Sequence, residues 1–345
     1  MRKIAALAAG ALLAGTLVTS SAVADGPECN FYNHCYALAH HLNTGEFTAA
    51  GQELWTDCLE LVPVSNDIAT HEMWIIPSTG WIETGYVKGF IAGGDTQSGF
   101  RMFWAEYTGS TFYSHFIANA PILNYINFSA YKQTSGKWAF FTNGTYRGTT
   151  AGTYGNGTYV QTGGETTEPL VLSHGKSRYL QTRSASNNTW SVAPITAHGG
   201  TAGVYSVTTN GVERMEQISL QRICDPLPGG PPGTLKATAP PTVDDVKTLA
   251  RKMAEANGEK NPTAEMVSTT RQRGVEGELD SNQNVFHVQM KGNFTGHLAT
   301  RPKGYKSPTG NVMTVTVDKE TGLVTDWSIG KNGKDLSKLG KVSKL

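Results

Sequence analysis

From Leu59 to Ile223 the chain is written in short runs rich in Val, Ile, Thr, Tyr, Phe and Trp, broken by clusters of Gly, Asn and Ser. Breaks at intervals of about ten residues are the pattern of many short antiparallel strands. Alternation predicts strands at Trp81–Phe90, Arg101–Tyr107, Tyr125–Lys132 and Trp138–Phe141. Asn143-Gly144 then offers the two left-handed positions of a tight hairpin turn before Thr145–Gly148. Asn210-Gly211 repeats the device between Val204–Thr208 and Val212–Met215. The expected fold class is mainly β, an antiparallel β-sandwich of jelly-roll type across residues 56–224.

The period changes on either side of this region. Residues 25–55, with Tyr36, Leu38 and Leu42 at uneven spacing, read as a polar, partly helical strap. Residues 225–242 hold prolines at 226, 228, 231, 232, 240 and 241, which suits an extended spacer and no packed element. Beyond it, Thr242 is placed to cap a helix with Asp244 and Asp245 in its first turn. Val243, Val246, Leu249 and Met253 share a face of that helix and Gly258 ends it. Phe286, Val288 and Met290 then alternate against Val285, His287 and Gln289, and Met313, Val315 and Val317 follow the same rule. Residues 243–345 therefore predict a small α+β domain, one helix on an antiparallel sheet.

The start of the chain has the form of an export signal. Arg2 and Lys3 precede an uncharged apolar run from Ile4 to Val18, and Ala22-Val23-Ala24 completes a cleavage pattern. Residues 1–24 are the expected leader of a secreted protein. The run is shorter than the roughly 20 residues needed to span a membrane, and no later segment is as apolar. In an oxidising compartment Cys29, Cys35, Cys58 and Cys224 are expected to form disulfides, with Cys29–Cys35 and Cys58–Cys224 the preferred pairing of three. His34, His40 and His41 stand near the cysteines but fit no zinc spacing, so no metal is expected.

Charge narrows the partners. Residues 25–239 hold 11 basic against 16 acidic side chains, and residues 240–345 hold 16 against 12. Neither half has the basic stripe that a nucleic-acid binder needs. An extracellular polymer, either protein or polysaccharide, is the expected partner, and the mildly basic tail suits an anionic cell-wall surface.

The chain has no G-x-S-x-G, H-E-x-x-H, phosphate loop or dinucleotide fingerprint, and no cofactor is expected. Two glutamates attract attention instead. Strand alternation puts Trp81, Glu83 and Gly85 on one face, and Gly163 shares a face with Glu165. A glycine two residues from each acid predicts open space beside it. Paired carboxylates work as acid and base when their surroundings push their pKa values apart. Trp104 and Glu106 also share a face, a pairing suited to sugar binding, and His115 is placed to orient a carboxylate.

The series Trp81-Ile82-Glu83-Thr84-Gly85, Arg101 to Tyr107, Lys137 to Phe141 and Gly163-Gly164-Glu165 resembles the neprosin-type glutamic peptidases. That resemblance, over residues 72–168, implies a lectin-like sandwich with Glu83 and Glu165 as the catalytic pair. Trp81, Trp104, Glu106 and His115 are the expected substrate-binding residues. The stretch from Asp318 to Asp326 resembles cystatin-like and PepSY-type domains, which implies a binding or inhibitory tail. The competing expectation is a non-catalytic protein that binds carbohydrate or cell wall through exposed aromatics. Glycoside hydrolysis by the same pair is a related option.

Overall fold

The computed structural model describes residues 34–41, 45–60, 68–89, 100–119, 124–167, 172–200, 205–210, 215–219 and 240–345. The first strands are β1 (Cys35–His41), β2 (Phe47–Glu60), β3 (Ile68–Pro77), β4 (Trp81–Gly89), β5 (Arg101–Tyr107), β6 (Phe112–Asn119), β7 (Ile126–Lys132) and β8 (Trp138–Thr142). They are followed by β9 (Thr145–Thr149), β10 (Gly157–Thr166), β11 (Leu172–Ser184), β12 (Trp190–Val192), β13 (Ile195–Gly200), β14 (Tyr205–Thr209) and β15 (Met215–Ser219). The chain then forms α1 (Val243–Ala256), β16 (Thr263–Thr270), α2 (Arg271–Gly274), β17 (Glu278–Leu279), β18 (Asn284–Thr295), β19 (Thr309–Asp318), β20 (Val324–Gly330) and β21 (Val342–Lys344).

Two antiparallel sheets pack face to face. One runs β13, β1, β10, β3, β4, β5, β6. The other runs β14, β15, β11, β2, β7, β8, β9. Between them lie Ala37, Ala39, Met73, Ile75, Ile82 and Trp104 from the first sheet and Phe47, Ala50, Ala130, Trp138 and Phe140 from the second. A mainly antiparallel sandwich with a small helix-bearing module is thus the architecture.

The Asn143-Gly144 turn forms as expected, with φ of 47° and 76° at its two positions. Of the second expected hairpin, Thr209 pairs with Met215, and Gly211 lies outside the described residues.

Residues 25–55 also differ from expectation: the described part is no strap but β1, flanked by strands on both sides, and most of β2. Tyr36 and Leu38 point to one face of β1 while Cys35, Ala37 and Ala39 point to the other, and all five are buried. Apolar residues on both faces blur period two, which is why the segment looked irregular. No cysteine among the described residues is a free thiol, Cys35 included. The leader, the proposed pairings and residues 225–239 lie outside the described residues.

The C-terminal module continues the first sheet. Its strands run β20, β19, β18, β16, β21, and β20 pairs along β6 through Asp326↔His115 to Ile329↔Phe112. A second ladder joins β17 to β9. Helix α1 has the expected Thr242 cap, which Asp245 completes as a capping box, and it buries Val246, Ala250 and Met253 beside β18 and β19. Val243 stays exposed at the helix start. No helix among the described residues is long and apolar enough to cross a membrane.

Candidate active site

The outer face of the first sheet carries the acids. Register places Glu165 across from Thr70 and Val87, Gly163 across from Glu72 and Gly85, and Gln161 across from Trp74 and Glu83. Directly opposed residues share a face, so Glu83 and Glu165 lie on the same side of β4 and β10 with a third acid, Glu72 of β3, between them. All three are buried, at 1%, 2% and 0% exposure respectively.

The glycines are there for a different reason from the one expected. A Cβ on Gly85 would stand 2.3 Å from the His71 carbonyl oxygen and 2.6 Å from Cβ of Glu72. A Cβ on Gly163 would meet the Ala37 carbonyl oxygen at 1.9 Å, and this glycine has φ of 148°. Neither leaves open space beside an acid: Gly85 makes room for Glu72, and Gly163 lets β1 approach. Period two along β3 alone does not single out Glu72, because its significance lies in the two strands beside it. The alternation of Thr70, Glu72 and Trp74 was the available signal.

Electrostatics set the acids apart. Burial pushes the Glu83 carboxyl well above the usual glutamate range, and the charge of Glu165 adds to the effect. Thr300 donates a hydrogen bond to Glu83 Oε1, which works in the opposite direction. The indole N–H groups of Trp81 and Trp74 also favour the ionised form. Neither closes to hydrogen-bond geometry, and Glu83 Oε2 has no protein partner among the described residues. Burial likewise raises Glu72, reinforced by Glu83 and Glu165, while Thr70 donates to its Oε1.

Glu165 is held by more donors. Tyr36 Oη donates to Oε1 at 3.2 Å, and the Arg301 main-chain N–H donates to Oε2 at 3.0 Å. His34 Nδ1 lies against Oε1, and its Nε2 lies 2.8 Å from the His297 carbonyl oxygen. A carbonyl only accepts, so Nε2 carries a hydrogen, and a proton must then lie between Nδ1 and Glu165. His34, which by sequence stood only among unlikely zinc ligands, is therefore the partner of Glu165.

Trp81 belongs to this site. It is buried, with its ring 4.5 Å from Tyr107 and 5.2 Å from Tyr305. Trp104, Glu106 and His115 do not join it, because register places them on the opposite face of β5 and β6. Trp104 stacks on Phe140 at 4.6 Å and on His115 at 4.0 Å in the core between the sheets. Glu106 accepts from Ala151 N–H at 2.6 Å, Gly152 N–H at 3.0 Å and Tyr154 Oη at 2.7 Å, clamping the turn after β9. Burial outweighs those bonds and pushes its carboxyl up to about 7.

His115 serves a junction. Its Nδ1 lies 2.8 Å from Asp326 Oδ1, and Arg271 grips both oxygens of Asp326 at 2.8 Å. Arg271 also donates to the carbonyl oxygens of Phe116 and Thr325. Burial opposes ionisation of Asp326, but Arg271 and the His115 hydrogen bond outweigh it and hold the carboxyl far below its usual range.

No family model and no curated protein matches the chain in sequence. Among solved structures, similarity is found to a Scytalido-glutamic peptidase with a peptide-based transition state analogue, at 8% identity and a TM-score of 0.37, covering 55% of this chain and 98% of that one. SCP-B, a member of the Eqolisin family of peptidases in complex with the tripeptide Ala-Ile-His, is similar at 7% identity and a TM-score of 0.39, again over 55% and 98%. A scytalido-glutamic peptidase with a transition state analogue inhibitor is similar at 9% identity and 0.37.

Proposed function

We propose that the protein is a secreted hydrolase of glutamic-peptidase type, with Glu83 and Glu165 as its working pair. One observation carries the reading: the two carboxyls, far apart in sequence, engage adjacent residues, Thr300 and Arg301, of a single segment. Acids that reach neighbouring residues of one segment lie close enough to act on one bound chain.

Their unequal surroundings assign roles. Glu83 keeps its proton well above the ordinary glutamate range and is the proton donor. Glu165, oriented by Tyr36 and His34, takes a proton from the attacking water. The water oxygen bonds to the carbonyl carbon, the C–N bond breaks, and the leaving nitrogen receives the proton from Glu83. Exchange with solvent then restores both acids. Glu72 lies beside the pair, and burial with the charges of Glu83 and Glu165 holds its own carboxyl well above the usual glutamate range. The export signal and the disulfides favour action outside the cell.

The test is degradation of denatured protein and of polysaccharides between pH 3 and 7, with Glu83→Gln and Glu165→Gln as controls. Proteolysis that persists unchanged in both variants removes the pair from the account.

A second reading has its own observation. On the outer face of the other sheet, Tyr131, Tyr179 and Trp190 line a groove of about 400 Å³ with Glu53, Asn127 and Gln181. Trp190 is 42% exposed and its ring lies 5.8 Å from Tyr131. Aromatic faces flanked by amides and acids suit sugar rings. Pull-down on insoluble polysaccharide, lost in Trp190→Ala, tests it. Retention on glycan with no hydrolysis of any substrate would favour a binding protein.

A further inference from the structure

The face that carries the acids is not open. Tyr36, Leu38, Trp74, Trp81 and Phe103 form one apolar cluster with Met253, Met290, Phe294, Leu298 and Ala299 of the C-terminal module. The covering segment is the connection between β18 and β19, residues 296–308. Adjacent antiparallel strands need only two to five connecting residues, so a loop of this length has some other use.

Its two limbs behave differently. Leu298, Ala299, Thr300 and Arg301 are buried at 0%, 0%, 3% and 5% exposure. Gly304, Tyr305 and Lys306 form an exposed tip. The buried limb is gripped largely through its main chain. His34 Nε2 donates to the His297 carbonyl oxygen, Tyr36 Oη shares its one hydrogen between Glu165 and the Arg301 carbonyl oxygen 3.1 Å away, and Glu165 accepts from Arg301 N–H. Thr300 adds a side-chain bond to Glu83. The Arg301 side chain turns back to Ser307 of its own loop at 2.5 Å.

We propose that residues 297–302 are an intramolecular blocker: the C-terminal module inserts its own chain across Glu83 and Glu165 and so holds the site closed. The inference rests on the hydrolase reading only for what the closed site would do once open. Every acid proposed to act is buried beneath this limb, and groups that a substrate main chain would engage already hold a main chain. Being tethered, the limb competes at a high effective concentration and excludes free peptide. A cut at the exposed tip removes one tether and lowers that advantage. The tip suits cutting, since it is exposed and built around Gly304, where an added Cβ meets nothing within 4 Å.

The test uses the full chain with a specific protease recognition sequence inserted after Gly304, compared uncut and cut. The probe is a fluorescent synthetic peptide matching residues 296–303, followed by anisotropy. Cutting is expected to tighten its binding at least about tenfold, and Thr300→Val in the cut chain to tighten it further by weakening the resident limb. Equal binding before and after cutting, or none in either form, overturns the proposal. Hydrolysis of denatured protein is followed in the same samples. Binding that rises on cutting without hydrolysis leaves the blocker standing and removes the hydrolase reading. Equal, Glu165-dependent hydrolysis in both forms does the reverse.

Discussion

Glu165 accepts a hydrogen bond at 3.0 Å from the main-chain N–H of Arg301, a residue 136 positions further along the chain. An acid at the centre of a sandwich sheet thus reads the backbone of a loop from another module. The same loop reaches Glu83 one residue earlier. Several consequences of this arrangement are measurable.

Replacement of either acid isolates chemistry from folding. Glu165→Gln and Glu83→Gln keep shape and remove acid–base capacity, so hydrolysis by the opened chain is expected to fall about 10²-fold to 10⁴-fold. Initial rates and circular dichroism on the same samples check this. Glu106→Gln, on the opposite face of the sheet, should leave the rate within about threefold while lowering Tm, since one amide oxygen cannot serve all three donors.

Stability should depend on pH with a definite sign. Glu72 and Glu83 hold protons in the folded chain at pH values where the unfolded chain has released them. At these two groups the folded state binds more protons above about pH 4.5, so their contribution to stability falls as pH rises from there. Glu106, raised to about 7, contributes on the order of 3 kcal/mol to that fall between its unfolded and folded values. Buried His71 and His287, lowered to about 3 and about 4, work in the opposite direction up to about pH 6.5, so the test is the difference between chains: the Tm of the parent minus that of Glu83→Gln should decline from pH 4 to pH 8. A difference that grows over this window contradicts the assignment.

The buried pair Arg271–Asp326 is expected to hold the module in place. Asp326→Ala strands Arg271, with Arg101 close by, away from solvent, and should cost about 3–5 kcal/mol in chemical denaturation. Because the Asp326 carboxyl stays ionised far into acid, this contribution is present above the ordinary aspartate range and persists at pH 3. The double replacement Arg271→Met with Asp326→Leu should recover part of the loss.

Gly85→Ala tests the packing of the third acid. The new methyl would overlap the His71 carbonyl and Glu72, so Tm should drop by an amount equivalent to about 1–3 kcal/mol. Glu72→Gly in the same chain removes the Cβ contact at 2.6 Å and leaves the main-chain ones, so partial rescue is the expected result.

Local sequence determined a good deal. Alternation marked β5 residue for residue and β4, β7, β8 and β9 to within a residue or so at each end. Asn143-Gly144 specified its turn through backbone conformation alone, and Thr242 with Asp245 specified the start of α1 through a side-chain cap. The shared face of Trp81, Glu83 and Gly85 followed from period two. Each of these rests on interactions within a few residues.

Tertiary structure decided the rest. Whether Glu83 and Glu165 meet depends on the order β10, β3, β4, and Glu72 becomes their neighbour only through a strand lying between them. Trp104, Glu106 and His115 had a suitable composition for a site but faced the wrong side of the sheet, a fact set by which face the second sheet covers. His34 and Arg301 meet Glu165 because β1 and the β18–β19 loop close on it from opposite ends of the chain. Pattern along a chain records what each residue does to its near neighbours, whereas a site joins residues whose only common coordinate is their position in space.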